Sequence, residues 1–465
     1  MECDVVVLGA GPGGYPAAIR AAQLGAKVIC VEKEDALGGT CLRVGCVPTK
    51  AWVQTAYAIK EVEESFDQLG IRISEASLDF ARSNEWKASV VKRHTQGVAT
   101  LFEANGVEWV RGVGRFAGAR TLAVEGGDEI AFSSAIIATG SHPIRPPVDG
   151  LDSPLCVDST GLLALEEIPA RLVVLGGGVI GCEFASIFNR FGSQVTIIEM
   201  LPGLLPQEDV DASAELAKQL VKRGVSLQLG KTCSRVEERE GELNVQFGDG
   251  ETVTADLMLV SVGRDPNVEG IGLEQAGVAF DVKRGILADE RRRTSVPDIY
   301  AVGDVAGYWQ LAHTAFREGE VAAENATGHD ATVDNRAVPR PIYTDPEVAA
   351  VGLTEAQAEA KYGDEIVVGR FPWVANARAV MQNQTTGWVK TIHESHYGEL
   401  VGLVIVGPHA TELIGVGTVA IDAEATIETI AFGMAAHPTL TEAIKEAGLV
   451  ALGQPVHVAP KRRAR

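Results

Sequence analysis

Two cysteines, Cys41 and Cys46, stand five residues apart in the stretch GGTCLRVGCVPTK, Gly38 to Lys50. A pair of thiols at this spacing can trade electrons by closing and opening a small internal disulfide. In an ideal helix their Cα atoms would be roughly 8.6 Å apart, beyond the ~7 Å that a bridge allows. Redox use therefore demands a distorted turn, and Gly45 offers the backbone latitude beside Cys46. Spacing alone leaves two readings open, an exchangeable disulfide or two small packing thiols. A second candidate is His437, which opens HPTLTEA. A thiol attacks well only once deprotonated, and histidine is the side chain tuned to take that proton near neutrality.

The elements that must position such groups follow one plan used twice. The apolar run DVVVL (Asp4 to Leu8) is followed by Gly9, Gly11 and Gly14 in a GxGxxG frame, then a helical stretch to Gly25 and a second strand ending at Glu32. Further on, RLVVL (Arg171 to Leu175) precedes Gly176, Gly178 and Gly181, a helix to Gly192 and a strand ending at Glu199. In each copy the acid stands 18 residues after the third glycine. This is dinucleotide-binding grammar: glycines admit a pyrophosphate, the helix N-terminus faces it, and the acid meets ribose hydroxyls. An acid at the end of the second strand favours a free 2′-hydroxyl, so Glu199 predicts NAD over NADP. The absence of arginine from Glu199 through Gln219 agrees.

Short strands ending in small residues, IIATG (Ile136 to Gly140) and LMLVSVG (Leu257 to Gly263), close the copies. The three prolines of His142 to Pro147 read as a linker. DIYAVGD (Asp298 to Asp304) supplies one more strand, and Asp304 reads locally as a helix N-cap. After about Asn335 the pattern changes to an antiparallel sheet with helices. Thr439 to Glu442 also fits a capping box.

Read whole, GGTCLRVGCVPTK resembles the active-site signature of the pyridine nucleotide-disulfide oxidoreductases, and the likeness runs from Asp4 to about Gly453. FPWVANARA, LAHTAFREGEVAAE and HPTLTEA, with Val179 in the second glycine loop, are similar to the dihydrolipoyl dehydrogenase branch. The resemblance implies an α/β fold with two Rossmann-like dinucleotide-binding domains (glutathione reductase-like) plus an α+β C-terminal dimerisation domain. The expected divisions are 1–143 and 264–334 for the FAD-binding and central part, 144–263 for the NAD-binding domain and 335–465 for the interface. FAD is expected at Gly9, Gly11, Gly14, Glu32, Lys50, Thr139, Gly140 and Asp304. NAD is expected at Gly176, Gly178, Val179, Gly181, Glu199 and Gly263. Cys46 lies against the flavin and Cys41 exchanges with substrate, Lys50 pairs with Glu183 near the ring, and His437 with Glu442 comes from the partner of a homodimer. The implied reaction is oxidation of dihydrolipoamide, carried on a lipoyl-bearing protein of a 2-oxoacid dehydrogenase or glycine cleavage complex, with reduction of NAD⁺. The alternatives are an NAD(P)H-dependent reductase of another small disulfide, or a non-catalytic FAD-binding subunit. Arg43, Thr49 and Ala435 depart from the family pattern; Arg43 is expected to lower a thiol pKa or attract an anion.

The totals fit. At 465 residues the chain exceeds one core. A net charge of −21 argues against nucleic acid and anionic membranes. No long apolar run is present, and a strand pattern from Asp4 leaves no room for a signal peptide. Seven scattered cysteines suit a reducing cytoplasm, with Cys3, Cys30, Cys156, Cys182 and Cys233 as core residues and no zinc spacing.

Overall fold

The computed structural model describes residues 1–460 except 75 and 308. The basic tail, Lys461 to Arg465, lies outside the described residues.

DVVVL forms most of the strand Glu2–Leu8, whose β-branched side chains suit a strand covered on both faces. It runs parallel to Val28–Glu32 on one side and Glu129–Ile137 on the other. Glu108–Arg111 extends the sheet, and an antiparallel pair, Gly114–Gly118 and Thr121–Val124, completes its far edge. Ile299–Ala301 joins Glu129–Ile137 in parallel, so the chain returns to its first sheet after building the second.

The second sheet has five parallel strands in the order Ser226–Leu229, Gln194–Glu199, Arg171–Leu175, Leu257–Val260 and Cys156–Val157. A three-stranded antiparallel sheet shares a core with it. The expected linker is in part a strand: Ser141–Pro143 pairs antiparallel with Arg264–Pro266. Proline is tolerated because this two-stranded ribbon has open edges that need no further donors. The chain thus enters and leaves the second sheet side by side.

The C-terminal part is a five-stranded antiparallel sheet, ordered Arg340–Ile342, Glu347–Gly352, Leu400–Gly407, Trp388–Glu394 and Ile366–Pro372. Its two central strands are buried along their whole length. One face carries the helices Ala410–Asp422 and Glu442–Ala451. The other shares a core with Trp52, Phe184 and Phe188, so one apolar cluster links all three parts. Trp52 meets Phe188 edge-on at 5.8 Å between ring centroids.

A buried charge cluster sits at the same junction. Asp345 accepts from Lys60 at 2.5 Å, from Arg190 at 2.8 Å and from Arg223. Burial alone would raise its carboxyl, but Lys60, Arg223 and Arg190 bring it down to about 2. Among the described residues no helix is long and apolar enough to cross a membrane.

Candidate active site

The helix Gly39–Val44 stops at Gly45, with φ −143° and ψ −114°, and a second helix, Cys46–Glu64, starts on the next residue. A Cβ at Gly45 would lie 2.8 Å from the Thr40 carbonyl oxygen, so the break requires glycine. This is the distorted turn that the cysteine spacing demands. Both thiols are free, with Cys41 buried and Cys46 exposed. The hydrogen bond between them pulls Cys46 down to about 7 against the opposing effect of its packed surroundings, with help from Lys50. That hydrogen bond and burial push Cys41 far above the usual thiol range. The two thiols titrate as a pair, with Cys46 drawn down and Cys41 pushed up.

One turn along the same helix, Lys50 reaches the two oxygens of Glu183 at 2.9 and 2.7 Å. Burial pulls the ammonium down, but Glu183 more than offsets this and holds it above its ordinary value. Glu183 also accepts the Tyr343 N–H at 2.9 Å, and Lys50 lies 4.7 Å above the Tyr343 ring. Thr49 donates its hydroxyl to the Gly45 carbonyl at 2.7 Å. Arg43 pairs with Glu34 at 2.9 Å, and the largest effects on the two thiols come from each other, from burial and from Lys50.

The two glycine loops divide their labour identically. A Cβ at Gly9 or Gly176 would stand 2.4 Å from a carbonyl oxygen of the neighbouring strand end, Ala138 or Ser261. At Gly14 or Gly181 it would lie 1.8 or 1.9 Å from the oxygen of that first glycine. These positions exist for packing the helix onto its strand. Gly178 and Gly140 face open space, and Gly11 has only Gly39 Cα at 3.8 Å. Such bare backbone before a helix N-terminus fits a pyrophosphate. The acids match too. Glu32 accepts the N–H groups of Ala10 at 2.8 Å and Glu34 at 3.1 Å; Glu199 accepts those of Gly177 at 2.6 Å and Leu201 at 2.7 Å.

Gly39, at the start of the cysteine helix, is pressed so close to Gly11 that a Cβ would meet Gly11 Cα at 2.5 Å. The cysteines therefore follow directly from the first loop. Thr139 donates to the Asn267 carbonyl at 2.9 Å, Val179 opens its helix 40% exposed, and Gly263 has φ +131°. Asp304 is no helix N-cap. It lies inside a 3-10 turn, Gly303–Ala306, and its carboxylate accepts the Ser141 hydroxyl; the next helix, Ala312–Ala326, starts after Leu311 without a side-chain cap.

His437 is exposed, and its Nδ1 lies 2.9 Å from Glu442 Oε1. The other Glu442 oxygen accepts the Thr439 N–H at 2.9 Å, which is half of a capping box. The second half is not made: the Thr439 hydroxyl donates to the Ala436 carbonyl, and among the described residues it accepts no N–H from Glu442. No hydrogen bond ties His437 to the cysteine helices within one chain. Ala435, two residues earlier, is half-buried.

Sequence reading passed over Tyr343 and Asp345. The only local signal for them was the run YTDPEV, which reads as strand and turn; their partners Lys50, Glu183, Lys60, Arg190 and Arg223 lie far off in sequence.

Comparison with known proteins agrees with this architecture. Residues 3–319 match the pyridine nucleotide-disulphide oxidoreductase family, and 338–448 match its dimerisation domain. A dihydrolipoyl dehydrogenase of Geobacillus stearothermophilus is 43% identical, aligned over 99% of this chain and 98% of its own length. A leghemoglobin reductase of Vigna unguiculata is 40% identical over 98% of this chain and 88% of its own. Among solved structures, the HOCl-induced flavoprotein disulfide reductase RclA of Escherichia coli, as its Cu(II) complex, superposes with a TM-score of 0.87 at 30% identity, covering 96% of this chain and 99% of that one. With two glycine-loop units, a thiol pair beside the first and a family match across most of its length, the chain belongs to the pyridine nucleotide-disulphide oxidoreductases.

Proposed function

We propose that the protein oxidises the dithiol of a lipoyl group and delivers the two electrons to NAD⁺. The full-length similarity to dihydrolipoyl dehydrogenases carries this reading, and the thiol pair beside the first glycine loop supports it. One substrate thiolate attacks Cys41 of the oxidised pair and frees Cys46 as thiolate. The second substrate thiolate then displaces Cys41, closing the lipoyl disulfide and leaving the Cys41–Cys46 dithiol. When bound, FAD supplies the two-electron relay between that dithiol and NAD⁺. Cys46 suits the relay side because its thiol is the one of the pair drawn down in pKa. Lys50, fixed by Glu183, keeps a positive charge four residues from Cys46. His437, oriented by Glu442, takes the proton from the substrate thiol in a site completed by the second subunit of a homodimer. FAD is held by Gly9, Gly11, Gly14, Glu32, Lys50, Thr139, Gly140 and Asp304; NAD by Gly176, Gly178, Val179, Gly181, Glu199 and Gly263. On this reading residues 1–143 and 264–334 form the FAD-binding and central part, 144–263 the NAD-binding domain and 335–465 the interface. The partner is a lipoyl-bearing carrier of a multienzyme complex, and the setting is the cytoplasm.

The test is NAD⁺ reduction with free dihydrolipoamide and with a lipoylated carrier, set against NADH-driven reduction of glutathione and other small disulfides. Turnover is expected with the lipoyl substrates and to disappear in Cys46→Ser. Preference for another disulfide makes the chain a reductase of that compound. Failure of NADH to reduce the bound flavin leaves only a flavin-holding subunit.

A further inference from the structure

The ribbon through which the chain leaves and re-enters its first sheet carries side chains that the proposed reaction does not use. Arg264 lies on its returning strand, directly after Gly263. Its Nε donates to the Ser141 hydroxyl oxygen at 2.7 Å, and its Nη2 donates to the Ser141 carbonyl at 2.8 Å. The Ser141 hydroxyl donates onward to Asp304 Oδ2, and Arg264 Nε stands 3.9 Å from that same oxygen. All three groups are largely shielded, so each bond is made out of competition with bulk water. Ser141 has one proton to give; Arg264 Nε donates to one of its two lone pairs, and the proton goes to Asp304. That fixes one carboxylate oxygen, and among the described residues Oδ1 has no hydrogen-bond donor.

We infer that Arg264, acting through Ser141, is a positioning residue that holds the Asp304 carboxylate ready to accept a hydroxyl of FAD. FAD retention then depends on a residue at the exit of the NAD-side unit. This rests on the reading of Asp304 as an FAD contact, and the experiment separates the two.

FAD dissociation constants are measured by titrating apoprotein, with thermal unfolding of the same apoprotein alongside. Arg264→Met is expected to weaken FAD about tenfold or more, as for loss of a charge-assisted hydrogen bond, with apoprotein unfolding unchanged. Arg264→Lys recovers part of the affinity, and Ser141→Ala weakens FAD even where Arg264→Met folds poorly. Asp304→Asn weakens FAD, and adding Arg264→Met to it costs little more, because both act through one carboxylate. Full additivity of the two changes, or unaltered affinity in both Arg264→Met and Ser141→Ala, overturns the inference. Unaltered affinity in Asp304→Asn instead removes Asp304 from the FAD site, and the inference falls with it.

Discussion

The two glycine-loop units are the same device as far as the sixth residue past the acid. In the first, the Gly38 N–H returns to the Ala10 carbonyl at 2.9 Å; in the second, the Leu205 N–H returns to the equivalent Gly177 carbonyl at 2.9 Å. From there they part. The first continues at once into the helix Gly39–Val44 and its cysteine; the second runs on to Asp209, whose carboxylate caps the helix Val210–Lys222. On the proposed reading, binding a dinucleotide belongs to the shared frame, and electron exchange belongs to what is spliced after it. Lys390 makes the contrast sharper: it is buried, and the second unit's continuation ends by pairing with it through buried Asp209 at 2.9 Å and the more exposed Asp211 at 2.7 Å, which braces the C-terminal sheet.

Breaking the frame should give the largest effects, and different ones in each unit. Gly14→Ala forces a Cβ to within 1.8 Å of the Gly9 oxygen, so the soluble protein is expected to emerge without bound flavin. Gly181→Ala makes the matching clash at 1.9 Å from the Gly176 oxygen; it is expected to keep its flavin and lose reduction by NADH. Absorbance and rapid-mixing spectra distinguish them, and loss of flavin from both variants would dissolve the comparison.

The next effect tests what joins the units. Asp345 binds Lys60 from the cysteine helix together with Arg190 and Arg223 from the second unit. Asp345→Asn takes the carboxylate from Lys60 and Arg223, while Arg190 keeps Glu63 and Glu64, and should cost about 3–5 kcal/mol of stability at neutral pH, read by denaturant unfolding. The folded carboxyl, at about 2, lies below the roughly 3.9 of an unfolded aspartate. Its contribution is therefore complete above about pH 4 and lost as pH falls toward 2. The wild-type protein should weaken across that window more steeply than the variant.

Smaller still are the acids. Glu32→Gln and Glu199→Gln each trade a carboxylate that accepts two N–H groups for an amide whose NH₂ opposes one of them. Each should weaken its own dinucleotide by about tenfold to a hundredfold and spare the other, measured as separate dissociation constants. The finest test concerns the splice itself. Alkylation of the reduced protein should show Cys46 titrating near pH 7, and Lys50→Met should move that midpoint upward by removing a neighbouring positive charge. An unmoved midpoint would leave the hydrogen bond with Cys41 as the cause of the low value at Cys46.

Much of this was legible in the chain because the frame is written locally. Glycines, strand ends and acids recur at fixed offsets, and the break at Gly45 follows from the geometry that a thiol pair needs. What escaped was long-range. Asp304 looks like a helix cap to its neighbours, yet its partner Ser141 is 163 residues away. Arg43 looks like a charge beside a thiol, yet it turns to Glu34. Thr439 has the residues of a capping box, yet its hydroxyl donates back to the Ala436 carbonyl. Local rules name what a side chain can do, and the tertiary fold chooses among the options.

The paired strands Ser141–Pro143 and Arg264–Pro266 bring the two ends of the intervening stretch into register. A segment whose ends already touch can be lifted out, or swapped for another of unrelated length, without stretching its host. Chimaeras that exchange this cassette between relatives should therefore fold, and coenzyme preference should travel with the insert while the sulfur chemistry stays with the recipient.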